Sequence, residues 1–200
     1  MLLLVGLGNP GPEHARNRHN VGFLAVDAIA ARYGFTAFRK NFHGLIADGT
    51  LGGVRTYLFK PQTYMNRSGI AVQAASQFYK IGGGDLVVIH DEIDLAAAKI
   101  KVKRGGGNAG HNGLRSLDAH IGPDYRRVRV GVGRPEGRAA VIGHVLDDFD
   151  AADQAWLDPL LDAIVEAAPL LALGDDPGFM NRVALAIKPR RAADKQPSAA

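Results

Sequence analysis

Leu86-Val-Val-Ile-His-Asp-Glu-Ile-Asp94 is the stretch on which the fold turns. Its apolar half is short and rich in β-branched residues, so it reads as a strand buried on both faces. It closes on a titratable cluster, His90, Asp91, Glu92 and Asp94. Met1-Leu-Leu-Leu-Val5 is a second such run, and Gly6-Leu-Gly-Asn-Pro-Gly11 after it reads as a loop at a strand's carboxyl end. Outward from these two strands, Asn20 is placed to cap a helix through Phe23, Leu24, Ile29 and Ala30, with Gly34 as its stop. Residues 42–47 and 54–59 read as paired strands around a glycine-rich turn. Asn66 or Ser68 starts a second helix that runs to about Tyr79. Residues 99–103 alternate basic and apolar, as an edge strand does. A short helix is expected over 112–120, a strand over 127–132 and a long helix over 151–173. A break at 175–178 then precedes a last helix over 183–187. Strands interleaved with helices predict a single α/β domain, residues 1–187, with a mixed, mostly parallel sheet flanked by helices. Residues 188–200 read as a basic, disordered tail.

Composition narrows the function classes. With 200 residues, 46% of them hydrophobic and 22% charged, the chain is long enough and apolar enough for a core of its own. It has no cysteine, so disulfides, thiolate catalysis and Cys-based metal sites are excluded. No apolar run approaches the roughly 20 residues of a membrane span. The first residues lack the basic flank of a signal peptide, and a cytoplasmic location is expected. The net charge of +4 is unevenly spread. Residues 139–181 hold nine acidic side chains and no Lys or Arg, whereas residues 99–138 carry ten basic and three acidic ones. Such segregation fits a polyanion-binding face beside a solvated acidic helix.

Four polar segments fall where strands or turns should open into a cleft: Asn9 with His19 and Asn20; His90 to Asp94; the glycine-rich segment from Gly105 to Gly113; and Pro61-Gln-Thr-Tyr-Met-Asn66. Gly6-x-Gly-x-x-Gly11 is a poor dinucleotide loop, because Pro10 and Pro12 sit where the helix should begin. The Gly105–Gly113 segment lacks the Gly-Lys-Ser/Thr of a phosphate loop. His90, Asp91, Asp94 and His111 are plausible metal ligands, but their spacing matches no metal motif, and His90 reads equally well as a packed histidine. No metal and no cofactor is expected. A third reading is a His general base oriented by an Asp, activating water directly, since no Gly-x-Ser-x-Gly elbow supplies a nucleophile. These residue types leave open which His meets which Asp.

Taken together, the segments carry a family resemblance. Gly6-Leu-Gly-Asn-Pro-Gly11, Arg18-His-Asn-Val-Gly22, Lys60-Pro-Gln-Thr-Tyr-Met-Asn-Arg-Ser-Gly69, His90-Asp-Glu-Ile-Asp94, Gly105-Gly-Gly-Asn-Ala-Gly-His-Asn-Gly113 and Arg129-Val-Gly-Val-Gly-Arg-Pro135 follow the order and spacing of the bacterial-type peptidyl-tRNA hydrolases, and Phe179-Met-Asn-Arg182 fits as well. The chain resembles that family over residues 1–187. The resemblance implies a monomer with a twisted mixed sheet, cleaving the ester between a peptide and the terminal ribose of tRNA and so recycling tRNA from prematurely released peptidyl-tRNA. It puts the catalytic base at His19 and its orienting carboxylate at Asp91. Asn9, Tyr64, Met65, Asn66, Asn112 and His111 are implied to bind the peptide and the tRNA end. Lys103 and Arg129 are implied to clamp the terminal phosphate, with Lys101 and Arg104 beside them in the basic stretch. Residues 137–146 match a mobile gate. Asn108-Ala109 departs from the family's usual His-Gly, which makes the loop backbone less permissive. No protein partner is implied.

Overall fold

The two apolar runs become neighbouring central strands, β1 (Leu2–Gly6) and β5 (Leu86–Glu92), parallel and buried along their whole length. The protein's structure, a computed structural model, describes residues 1–137 and 140–188. The expected tail, from residue 189 onward, therefore lies outside the described residues. Seven strands form one mixed sheet in the order β2-β3-β4-β1-β5-β7-β6. The remaining strands are β2 (Arg39–Asn41), β3 (Gly44–Leu51), β4 (Val54–Pro61), β6 (Ile100–Arg104) and β7 (Arg126–Gly131). β4, β1, β5 and β7 pair in parallel, and β3 and β6 run against their neighbours. The predicted mixed, mostly parallel α/β fold is the one observed, with 99–103 at the sheet edge as expected.

Helices cover both faces. α1 (Val21–Tyr33), α5 (Ala151–Ala172) and α6 (Asp176–Ala186) pack with Leu4, Val87, Ile89 and Val128 in one core layer. α2 (Ser68–Tyr79) and α3 (Asn112–Ile121) close the other layer over Leu3, Val5, Val88 and Tyr125. The acidic run of α5 faces outward as expected: Asp158, Asp162 and Glu166, four residues apart, are exposed opposite buried Leu160, Ile164 and Leu171.

Several local expectations change. Residues 175–178 do not break a helix but begin one. Asp175 accepts a hydrogen bond from Gly178 N–H, and Pro177 sits in the first turn, where its missing N–H leaves no bond unmade. The stop for α5 is Gly174, at φ 79°. β3 extends to Leu51, so the hairpin turn narrows to Gly52-Gly53. Neither Asn66 nor Ser68 caps α2; Ser68 Oγ donates to Met65 O instead. A short helix not predicted from sequence, α4 (Ala140–Leu146), lies within the segment expected to be a gate.

Candidate active site

The carboxyl ends of β1 and β5 open at the same sheet edge, with Gly6 level with Ile89. A single helical turn, Arg18–Asn20, delivers His19 there immediately before α1. Two glycines make this approach possible. A Cβ on Gly22, in the first turn of α1, would stand 2.4 Å from Ile89 O and Leu7 N, and one on Gly6 would stand 2.1 Å from Gly22 O. The helix start therefore lies directly on the strand ends, and His19 Nδ1 comes to 2.8 Å from Asp91 Oδ1. Burial by itself would raise the Asp91 carboxyl; the two imidazoles hydrogen-bonded to it, His19 and His111, outweigh this and hold the group well below the usual carboxylate range. A carboxylate only accepts, so the Nδ1 of His19 donates; in a neutral ring its Nε2 then keeps a lone pair.

His111 reaches the same carboxylate from the other layer. Its Nε2 is 2.9 Å from Asp91 Oδ1, and its ring centroid is 4.8 Å from that of His19. It is also the N-cap of α3, where its Nδ1 accepts from Gly113 N–H and Leu114 N–H. Histidine is outside the usual set of capping residues, so nothing in the residue pattern signals this cap. His90 lies on the side of Arg129 and Arg127, its ring edge-on to that of His111 at 5.1 Å between centroids, and donates from Nδ1 to Asp91 O. Burial, helped by His111, pushes its imidazole down to about 3. It is thus a packed neutral histidine. Asp94 lies at the rim and accepts from Arg134. The alternative ligand set of His90, Asp91, Asp94 and His111 does not assemble. The three groups that do converge, His19, Asp91 and His111, face one another through hydrogen bonds.

Above the cluster lies a cleft of about 580 Å³. Asn9, Met65, Asn66, Tyr64 and Asn112 all line it. Asn9 is fixed on three sides: its N–H donates to Asn20 Oδ1, its C=O accepts from Asn20 Nδ2, and its Oδ1 accepts from Met65 N–H. Asn20, expected to cap α1, makes no capping bond; both ends of its amide go to the Asn9 backbone. Asn66 is exposed at the cleft rim. Val141, Ile142, Val145 and Leu146 of α4 form an apolar wall, and Tyr64 and Ile142 are 66% and 71% exposed. Sequence reading gave these aliphatic residues no role individually. Arg18 ties that wall down: its guanidinium donates to His144 O at 3.2 Å and to Asp147 O at 3.4 Å, and pairs with Asp153.

The basic residues sort into two groups. Lys103 and Arg129 line a separate hollow of about 80 Å³ with Gly105, Gly106, Gly107 and His90. Arg129 Nε also donates to Glu92 at 3.0 Å. Lys101 is exposed two residues from Lys103, on the same strand face. Arg104 points its guanidinium at Asp124, with contacts of 2.8 and 2.9 Å, outside this hollow. Arg127, not singled out from sequence, is buried beneath the glycine-rich loop, donating to Gly107 O and pairing with Asp118 of α3.

Residues 3–192 match the family model described as peptidyl-tRNA hydrolase. The chain is 55% identical over 192 residues to the peptidyl-tRNA hydrolase of Chelativorans sp. (strain BNC1), covering 96% of this chain and 80% of that protein. It is 53% identical over 200 residues to that of Rhodopseudomonas palustris (strain BisB18), with both chains covered in full. The crystal structure of peptidyl-tRNA hydrolase from Acinetobacter baumannii superposes with a TM-score of 0.87 at 42% identity, over 92% of this chain and 94% of that one. A match of this length and identity, on a fold with the same architecture, means that the chain belongs to the peptidyl-tRNA hydrolase family.

Proposed function

We propose that this protein hydrolyses the ester between a peptide, or an N-blocked amino acid, and the terminal ribose of tRNA, using water activated by His19 and Asp91. The observation that carries the reading is the 2.8 Å contact of His19 Nδ1 with Asp91 Oδ1 at the floor of an amide-lined cleft. With Nδ1–H held by the carboxylate, Nε2 takes a proton from water as the water attacks the carbonyl carbon. Asp91 then stabilises the imidazolium, as the carboxylate of a catalytic triad does. Negative charge builds on the carbonyl oxygen, and the amide of Asn112, which lines the cleft at the head of α3, donates to it. Collapse of the intermediate breaks the ester C–O bond, and the ribose hydroxyl leaves with the proton from the imidazolium.

Asparagines suit a peptide of any sequence, because an amide offers both a donor and an acceptor to main chain. With Asn9 Oδ1 already held by Met65 N–H, Asn9 presents its NH2 to the substrate, and exposed Asn66 offers both ends of its amide. The tRNA end enters from the side of β7 and β6, where Lys103 and Arg129 take a phosphate and Lys101 extends the positive edge. Phosphate contacts give affinity without reading bases, which fits an enzyme acting on every tRNA.

The test is release of N-blocked amino acid from tRNA by the purified protein, with and without chelator, beside His19→Ala. The variant is expected to fold and to lose at least a hundredfold in kcat, a drop of the size that follows removal of a general base. Wild-type turnover is expected to survive chelation. Full activity in the variant would remove the proposed base. Binding without cleavage by the wild type would make the protein an RNA-binding module instead.

A further inference from the structure

His111 belongs to the buried cluster, yet the hydrolysis described above gives it no step. Its two ring nitrogens meet different kinds of partner. Nδ1 lies 3.1 Å from Gly113 N and 3.3 Å from Leu114 N, amides of the first turn of α3. A backbone N–H can only donate, so Nδ1 holds a lone pair. In a neutral imidazole the proton then sits on Nε2. That nitrogen is 2.9 Å from Asp91 Oδ1, the same oxygen that takes the N–H of His19. The carboxylate accepts from two rings that converge on one atom at an interplanar angle of 44°.

We infer that His111 is a positioning residue: the first turn of α3 fixes its tautomer, and the resulting Nε2–H pins Asp91 so that the carboxylate presents His19 with its Nε2 toward the cleft. This rests on the His19–Asp91 reading above and deepens it. It differs from the role the resemblance implies for His111, which is contact with the substrate. The physical need is plain. The terminal torsion of an aspartate is broad, so one hydrogen bond leaves the carboxylate free to rock. A second N–H from a different direction removes that freedom. Orientation is thereby relayed from helix backbone to His111, to Asp91 and to His19, with each proton's place set by the group before it. Nδ1 is fully engaged with the helix, so His111 has no lone pair to offer water and cannot replace His19 as the base.

Two substitutions separate the two ends of the ring. In His111→Asn the amide oxygen takes the place of Nδ1 and keeps the cap, while the N–H toward Asp91 is lost. In His111→Gln the longer side chain brings an NH2 to the place of Nε2 and weakens the cap. The Asn variant is expected to unfold within a few degrees of wild type, to lose about tenfold in kcat and to keep KM within about twofold. The Gln variant is expected to recover most of that kcat. Nitrogen-15 NMR of the wild type is expected to show the His111 proton on Nε2 and none on Nδ1. Unchanged kcat in the Asn variant, a loss carried wholly by KM, or a proton found on Nδ1 would each overturn the inference. A wild-type protein that leaves the ester intact would sink the proposed function instead, and the NMR result would still decide the tautomer.

Discussion

At the scale of the residue, the site depends on side chains whose hydrogen-bonding capacity is largely taken up before substrate arrives. Asn9 is held by Asn20 and Met65, and Asp91 by two imidazoles. Such prior engagement lowers the entropy lost on binding. One residue of the same loop system is poorly suited to its place. Ala109 sits at φ 49°, in the left-handed region where glycine is at ease and an L side chain is strained by roughly 1 kcal/mol. Ala109→Gly relieves the strain but adds freedom to the unfolded chain, about 0.4–1 kcal/mol the other way. The expected result is a gain of no more than about 0.5 kcal/mol in urea unfolding, with kcat within twofold of wild type. A loss of more than 1 kcal/mol would mean that the methyl group packs favourably enough to outweigh its backbone cost.

At the scale of the element, the head of α1 matters most, because it carries His19 and leaves no room against the strands. Gly22→Ala places a methyl group 2.4 Å from Ile89 O, where backbone cannot yield cheaply. Overpacking of this kind costs about 1–3 kcal/mol. The expected outcome is that loss in denaturant unfolding together with a fall in kcat, since α1 can recede only by drawing His19 from Asp91. Unchanged stability and kcat would show that the strand ends move aside freely. The same elements show what a sequence can disclose. β1 and β5 were legible because two-sided burial demands unbroken apolar runs, and α5 because three exposed acids recur every four residues. β2 was not, since Arg39-Lys-Asn41 is exposed along its length and buries no apolar face to mark it as the partner of β3. α4 was missed because seven residues with a glycine among them give too little periodicity. At the site, the polar loops were legible from the residues themselves, and the choice of His19 and Asp91 only through the family resemblance. The roles of Asn20 and His111 were not, because each is decided by partners distant in sequence or by backbone amides.

At the scale of the whole molecule, the buried titratable groups make stability depend on pH. His90 is neutral in the folded state down to about 3, against 6.5 in an unfolded chain. Between those values the unfolded state binds a proton that the folded state does not, so stability falls as pH drops through that window. From pH 7 to pH 5 the loss from this residue is about 2 kcal/mol. Asp91, depressed below its ordinary 3.8, acts in the same direction but only at more acid pH. His90→Asn keeps a donor for Asp91 O without titrating. Its unfolding free energy should therefore fall by about 2 kcal/mol less than that of wild type between pH 7 and pH 5. Equal losses in the two proteins would show that other histidines govern the acid limb. Finally, Arg18 and His19 are consecutive residues, and Arg18 grips the carbonyls at the end of α4. The apolar wall of the cleft is thus latched to the residue next door to the proposed base. A small molecule wedged against that wall, at Ile142, is expected to pull on the latch and shift the His19 imidazole, lowering kcat in the hydrolysis assay without occupying the His19–Asp91 contact.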